Sequence, residues 1–509
     1  MAVSKDNIMA RESFWGSIVT YIGVTIGFLT TFLVLIAYLT PEEVGLTRVL
    51  VELATLLSSL ALLGMSTSIS RYFPYFRSED KQPEAVPHRG FFFWTMCLVG
   101  IGLPITLLLY SGLAELINPY FGSGSQLLAQ YYHYILPLTV CISLWTIAEL
   151  YSIQLLRLAV PRVIRELLLR ILLLGCYLAY AFDLVGLEGF LLIFVGAYAL
   201  CTLLAYLYLS RITQLSLRRE AGFPDKPLRR GFLRYTGLAI LSVVGTTLAG
   251  RMDLFVLAIS PSAGLRSAAV FSIGFFMVSV VEIPTRAIIG LATARIAELM
   301  KDSDYPAVGR LLEQVSRYQL ILGLIIYMCL YASIEQVLSI LPNGDIYAGS
   351  AEVFLFLGLA KLVEISFTAC HPIVNASHFY QYSLYYTLWC VVAAFLANYY
   401  FIPLWDAMGA AIATLLTTIL GYGFLQAVVY RHLRLSPLSA RMLRIVGLGI
   451  GLALLVAHLP QLANPYLSII FRSGTTACVA IFGLWVLDVA PEATGYARSW
   501  LAKRRHTDV

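Results

Sequence analysis

The stretch Tyr235–Leu291, which reads YTGLAILSVVGTTLAGRMDLFVLAISPSAGLRSAAVFSIGFFMVSVVEIPTRAIIGL, decides the fold class. It holds two consecutive apolar runs, each long enough to cross a hydrocarbon core of about 30 Å. Each run also carries charges that a bilayer disfavours: Arg251 and Asp253 in the first, Glu282 and Arg286 in the second. An ionisable side chain near the bilayer centre costs about 2.5–3.5 kcal/mol on insertion scales, so such residues face a partner or a water-filled space. These two runs are therefore the first place to look for function.

The rest of the chain has the same character. With 59% hydrophobic and 13% charged residues and a mean hydropathy of +0.80, it lies far from soluble domains, which are about 25% charged. This is the composition of an all-α polytopic membrane protein. Residues 1–12 are polar and lead into an apolar run with no small-residue cleavage site, the pattern of a retained signal anchor. The net charge of +6 does not imply a nucleic-acid partner, because in a membrane protein the placement of Lys and Arg matters more than their sum. All eight cysteines sit in apolar runs with neither CxxC spacing nor nearby histidines, which argues against disulfides and zinc.

Fourteen spans are predicted, over residues 14–38, 46–69, 91–111, 130–150, 167–182, 187–209, 235–259, 267–291, 318–341, 351–370, 384–401, 407–430, 442–459 and 469–489. The loops fix their direction, since cytoplasmic connections retain Lys and Arg. Of the 35 Lys and Arg residues, 29 fall on the side that holds both termini, so both termini are expected in the cytoplasm. Arg48, Arg266 and Arg472 fall near outer ends, whereas Arg251, Arg286 and Lys361 fall inside spans. Loops are short, and the longest outer one, 112–129, has no Lys or Arg. The largest cytoplasmic link, 210–234, carries Arg218-Arg219-Glu220 and Lys226-Pro227-Leu228-Arg229-Arg230, which suits contact with anionic membrane lipids.

That link separates two similar halves. Thr40-Pro41-Glu42-Glu43-Val44-Gly45-Leu46 follows the first span, and Ser260-Pro261-Ser262-Ala263-Gly264-Leu265 follows the seventh, a shift of 220 between the prolines. Asp183-Leu184-Val185-Gly186 and Asp406-Ala407-Met408-Gly409 match at a shift of 223. An even number of spans precedes the second copy, so the repeats are parallel. The expected architecture is two pseudo-symmetric six-helix lobes plus two C-terminal helices. Its parts are an N-terminal lobe over 1–210, a basic linker over 211–234, a C-terminal lobe over 235–430, and an appended helix pair with a basic tail over 431–509.

Spacing sorts the membrane charges. Glu282 and Arg286 stand i,i+4, and Lys361 and Glu364 stand i,i+3, so each couple can neutralise itself on one helix face or serve a site. Arg251 and Asp253, two apart, point to opposite sides of a continuous helix, and at least one needs a partner elsewhere. Glu52 lies at a similar depth in the second span, so Glu52 and Arg251 are expected to meet if the halves face each other. The run Arg71-Tyr72-Phe73-Pro74-Tyr75-Phe76-Arg77 fits an interfacial aromatic belt. No P-loop, nucleophile elbow or metal spacing occurs, so no catalytic residue, metal site or cofactor is expected.

Four stretches together resemble the Wzx-type polysaccharide and lipopolysaccharide flippases of the multidrug/oligosaccharidyl-lipid/polysaccharide exporter superfamily. They are Arg11-Glu12-Ser13-Phe14-Trp15-Gly16-Ser17 with Tyr21-Ile22-Gly23; Tyr38-Leu39-Thr40-Pro41-Glu42-Glu43-Val44-Gly45; Gly64-Met65-Ser66-Thr67-Ser68-Ile69-Ser70-Arg71-Tyr72-Phe73-Pro74; and Asp406 through Thr414. The resemblance implies lobes around a central cavity and ion-coupled alternating access, with H+ or Na+ as coupling ion and no other cofactor. It implies transfer of an undecaprenyl-diphosphate-linked oligosaccharide across the bacterial cytoplasmic membrane by a monomer that works with glycosyltransferases and a polysaccharide polymerase. Cationic substrate-binding residues would fall on Arg251, Arg286 and Lys361, and ion-coupling or gating carboxylates on Asp253, Glu52, Glu282 and Glu364. A lipid II or drug exporter of the same superfamily is the alternative. A membrane polymerase or ligase fits less well, because the outer loops are too short for its catalytic loop.

Overall fold

Pro, Asp, Ser, Thr and Asn at span starts set the helix register. The computed structural model describes residues 19, 22, 23, 25–76, 87–117, 126–155, 157, 159–220, 223–261 and 263–489. Helix α1 covers Thr25–Tyr38 and includes a π-helical stretch, Thr30–Leu35. Helix α2, Pro41–Ala61, opens on a complete capping box: Thr40 Oγ1 accepts from the Glu43 amide at 3.3 Å, and Glu43 Oε2 accepts from the Thr40 amide at 2.8 Å. Pro41 occupies the first turn, where a missing N–H costs nothing. The predicted anchor residues 1–12 and the resembling stretch 11–17 lie outside the described residues, as do Tyr21, Arg77, Lys81, the loop residues 118–125 and the basic tail.

Helices α3 (Met65–Phe76), α4 (Phe91–Ile117), α5 (Gln126–Tyr131) and α6 (Ile135–Gln154) follow. Helix α7 runs through Ala159–Arg162, a π-helical Val163–Leu168 and Leu169–Ala181, and α8 is Leu187–Ile212. Then come α9 (Lys226–Ala249), α10 (Met252–Ile259), α11 (Gly264–Lys301), α12 (Tyr305–Ile340), α13 (Ser350–Phe367), α14 (Cys370–Ala376), α15 (Tyr382–Leu433), α16 (Ala440–His458) and α17 (Pro465–Val486). Caps repeat the logic of α2. Asp304 accepts from the Ala307 amide at 3.1 Å before α12, and Asn464 accepts from the Tyr466 and Leu467 amides before α17.

The described residues contain no strand, and ten of their helices are long and apolar enough to cross a membrane, or eleven with the bent pair α13–α14. The protein is a multi-pass α-helical membrane protein, and the helix count is consistent with about fourteen spans. Fewer helices pass because α1 is short, α7 is interrupted by its π stretch, and α15 holds two predicted spans in one element. Backbone breaks fall inside two predicted spans and in the predicted connection between two others. The span 46–69 breaks between α2 and α3, where Leu63 (φ 46°) and Gly64 (φ 78°) turn left-handed. A Cβ on Gly64 would also strike the Thr236 carbonyl oxygen, so glycine is required there twice over. The span 235–259 breaks between α9 and α10 at Gly250 and Arg251, and α15 breaks at Trp405 and Asp406.

The two repeat signatures fare differently in the backbone. Asp183 (φ 54°) and Asp406 (φ 46°) both have positive φ, and Asp406, with ψ −123°, lies outside the left-handed helical region that Asp tolerates. Pro41 instead begins a helix, whereas Pro261 precedes one, with Gly264 (φ 65°) at the start of α11. The chain packs as two compact units, Met1–Ala269 and Val270–Val509. Helices α9 and α10 therefore pack with the first unit, since α9 lies on α2 and α3; Ser68 and Thr236 share a hydrogen bond of 2.8 Å. The aromatic run beginning at Arg71 is core rather than an interfacial belt: Tyr72, Phe73 and Phe76 are buried among Phe91, Tyr151 and Phe232, and of its four aromatic rings Tyr75 alone is exposed. The second unit has its own core, where Ile296, Leu312, Val374 and Val429 come together.

Candidate functional site

The break between α9 and α10 places the first cluster. Gly250 ends α9, and Arg251 stands outside both helices (φ −130°, ψ −2°) as the residue before α10. Its Nη1 reaches Glu52 Oε1 on α2 in a short ion pair, with side chains 36% and 22% exposed. The contact anticipated between Glu52 and Arg251 is thus present, inside the first compact unit. No continuous helix joins Arg251 to Asp253, so their spacing of two does not set them on opposite helix faces. Asp253 is buried in the first turn of α10, where the helix dipole favours a carboxylate.

Further charges stand in the same unit. Arg48, one turn before Glu52 on α2, donates from Nη2 to Thr31 Oγ1 at 3.5 Å. On α7, Arg170 pairs with Glu166 at 2.9 Å and also donates to the Gly23 carbonyl, while Arg165 pairs with Glu149 of α6 at 2.9 Å. Tyr180 donates to Glu43 Oε1 at 2.5 Å, so the capping carboxylate of α2 also ties α7 to it. The i,i+4 spacing of Glu166 and Arg170 already allows their pair on one face of α7.

The second cluster lies wholly in the second unit. Arg286 donates from Nε to Glu282 Oε1 at 3.0 Å, and Lys361 donates to Glu364 at 2.7 Å, as their spacings allow. Lys361 also reaches Glu282 Oε2 at 3.1 Å, which joins the two couples across α11 and α13. Two cations and two carboxylates therefore form one formally neutral group. Lys361 is its buried centre, with a side chain 15% exposed, and Arg286 is its open edge at 64%. Pro284 follows Glu282 by two residues within α11 and removes an amide donor from that turn.

One membrane charge escaped the sequence reading. Arg472, assigned to an outer end, is buried in α17 and donates to three carbonyls: Ala332 and Leu459 at 2.6 Å each, and Val456 at 3.2 Å. The carbonyls of Val456 and Leu459 belong to the C-terminal end of α16, where a helix has acceptors to spare. Arg472 thus ties α17 to α12 and α16.

No family model matches the sequence, and no curated protein matches it. Solved structures do. A lipid II flippase, MurJ, in an inward closed conformation aligns with TM-score 0.67 at 13% identity over 96% of this chain and 99% of that one. An inward-facing multidrug resistance MATE family transporter of the MOP superfamily aligns at 0.59, with 14% identity over 85% and 95%. The chain has the fold of these transporters. A Vibrio cholerae MATE transporter, VcmN, aligns at 0.55, with 13% identity over 84% and 98%. The flippase likeness extends over nearly the whole chain, whereas the two MATE structures leave about a seventh of it unmatched.

Proposed function

We propose that this protein is a flippase that moves an undecaprenyl-diphosphate-linked oligosaccharide from the inner to the outer leaflet of the bacterial cytoplasmic membrane by ion-coupled alternating access. The observation that carries the reading is the Arg251–Glu52 ion pair at a helix break, in a chain with a flippase-like fold over nearly its full length. A diphosphate cannot cross hydrocarbon unshielded; fixed cations must replace its water, while the polyprenyl tail stays in lipid. Arg251 is the cation best placed to do so, because it sits outside helical backbone and holds a carboxylate that substrate can displace. Glu52, once released from Arg251, takes up the coupling proton or sodium. Lys361 and Arg286 form a second station, held by Glu282 and Glu364 until substrate arrives. Both termini are assigned to the cytoplasm and the protein acts as a monomer.

The near-complete likeness to a lipid II flippase supports a second reading, in which the cargo is lipid II. Deletion separates the two. Under the first reading, a deletion strain accumulates lipid-linked polysaccharide precursor in the inner leaflet and lacks surface polysaccharide, yet keeps making cell wall. Under the second, the gene restores growth to cells depleted of their lipid II flippase. Normal surface polysaccharide together with failed rescue would overturn both.

A further inference from the structure

The first turns of α9 carry Lys226, Arg229, Arg230 and Arg234, all exposed, and together with Leu233 they line an open concavity of about 820 Å³. Arginines elsewhere find acids: Arg89 pairs with Glu220, Arg165 with Glu149 and Arg295 with Glu298. Among the described residues the four cations of α9 make no ion pair and no side-chain hydrogen bond. Asp225, exposed at the cap of α9, makes no side-chain cap and pairs with none of them. Arg71 of α3 adds a fifth exposed cation, held 4.5 Å over the Tyr235 ring. The position makes this excess unfavourable. A helix N-terminus bears the positive end of the macrodipole, and α9 has no acid in its first turn. Lys226 with Arg230, and Arg230 with Arg234, stand i,i+4, where like charges repel. An anion from outside the chain answers both effects.

What lies beyond the cations narrows the class of anion. Lys226, Arg230, Leu233, Gly237 and Leu241 recur at intervals of three and four and so share one face of α9. That face is open along its length: Leu233, Leu238 and Leu241 are 43%, 61% and 51% exposed, and a Cβ on Gly237 would meet nothing within 4 Å. The other face, with Phe232, Thr236 and Ala239, is buried, and α9 packs there on α2 and α3. A soluble anion would use the cations and leave the leucines without a role. A phospholipid with an anionic headgroup uses both, with its phosphate on the guanidinium groups and its acyl chains along the leucines. We propose that the outward face of α9 is a binding site for an anionic glycerophospholipid, with Arg229, Arg230 and Arg234 on its phosphate. The proposal goes beyond the flippase reading, because this ligand is a lipid of the surrounding leaflet rather than the cargo and does not use the Arg251–Glu52 pair.

The test titrates dioleoyl phosphatidylglycerol and dioleoyl phosphatidylcholine, which share their acyl chains, into delipidated full-length protein and follows binding by native mass spectrometry. Inorganic phosphate and hexaglutamate serve as soluble anions. Phosphatidylglycerol is expected to bind saturably and at least about tenfold more tightly than phosphatidylcholine, and neither soluble anion to displace it at millimolar concentration. A cation near an anionic headgroup is worth about fivefold in affinity. Arg229→Gln with Arg230→Gln should therefore weaken phosphatidylglycerol binding at least about tenfold, and Arg234→Gln alone about fivefold, with an unchanged elution profile and a Tm no lower than the parent's. Arg295→Gln with Arg310→Gln removes the same charge from the second unit and should bind like the parent. Arg251→Ala should also leave this binding intact, so failure of this site and failure of the flippase reading are distinguishable. Equal binding of the two lipids, displacement of phosphatidylglycerol by phosphate or hexaglutamate, or equal losses in the two double variants would overturn the proposal.

Discussion

Arg251 and Glu52, 199 positions apart, form an ion pair at the point where the helical backbone before α10 is broken. The partial exposure of both side chains keeps the net stabilisation modest, on the order of 1 kcal/mol, well below that of a fully buried pair. A pair that contributes little to stability is readily opened. Arg251→Ala should therefore insert and fold with a Tm within a few degrees of the parent, yet lower transport about tenfold to a hundredfold, the worth of a charge-assisted hydrogen bond to phosphate. Arg251→Lys should retain part of the activity if charge rather than the planar fork matters. Full surface polysaccharide in the Ala variant would remove Arg251 from the site.

Ion coupling makes a separate demand on the acids. Glu52 faces Arg251, whereas Asp253 sits in the first turn of α10, where its charge supports the helix. Glu52→Gln is expected to bind lipid-linked substrate but to lose its response to an imposed H+ or Na+ gradient in vesicles. Asp253→Asn is expected to keep that response and to lower the Tm instead. A gradient response unchanged in the Glu52 variant would sink the coupling assignment, and one lost only in the Asp253 variant would transfer it there.

Hydropathy, loop charge and i,i+3 or i,i+4 spacing carry information along one helix, and there the sequence is legible: most of the apolar spans, the Glu282–Arg286 couple and the Lys361–Glu364 couple stand in the structure. What it hid depends on backbone breaks or on register between helices. The turn at Leu63 and Gly64 lies inside an apolar run, and at Arg251 the residue types mark a charge but not the interruption of the helix. The Lys361–Glu282 contact depends on how α11 and α13 are rotated, which neither sequence specifies alone. Arg472 looked like an outer-end charge because its partners are carbonyls, which leave no trace in the residue types.

The two Asp-x-x-Gly signatures share a positive φ at the aspartate but differ in crowding at the glycine. A Cβ on Gly409 would collide with the Phe401 carbonyl oxygen across the break in α15, whereas one on Gly186 would meet nothing within 4 Å. Gly409→Ala should thus destabilise by about 1–3 kcal/mol, the usual result of overpacking, while Gly186→Ala should stay within about 0.5 kcal/mol. Thermal unfolding of both variants in detergent decides. Equal effects would mean that the break at Asp406 yields more easily than its close carbonyl approach implies.

The cluster around Lys361 permits the sharpest separation of structure from function. Lys361 touches two carboxylates, so Lys361→Met leaves Glu364 without its ammonium partner and Glu282 with Arg286 alone. Removing one member of a buried pair leaves an uncompensated charge, and the expected cost is about 2–3 kcal/mol after allowance for the partly exposed carboxylates. Adding Glu364→Gln removes that charge, and the Glu282–Arg286 couple remains. The double variant should recover most of the Tm, a coupling of at least about 1 kcal/mol between the two positions. Transport distinguishes the two roles. If Lys361 only holds the helices, recovery of stability restores polysaccharide export; if it meets the substrate's phosphate, the double variant is stable and still fails to export, and this is the outcome the flippase reading requires.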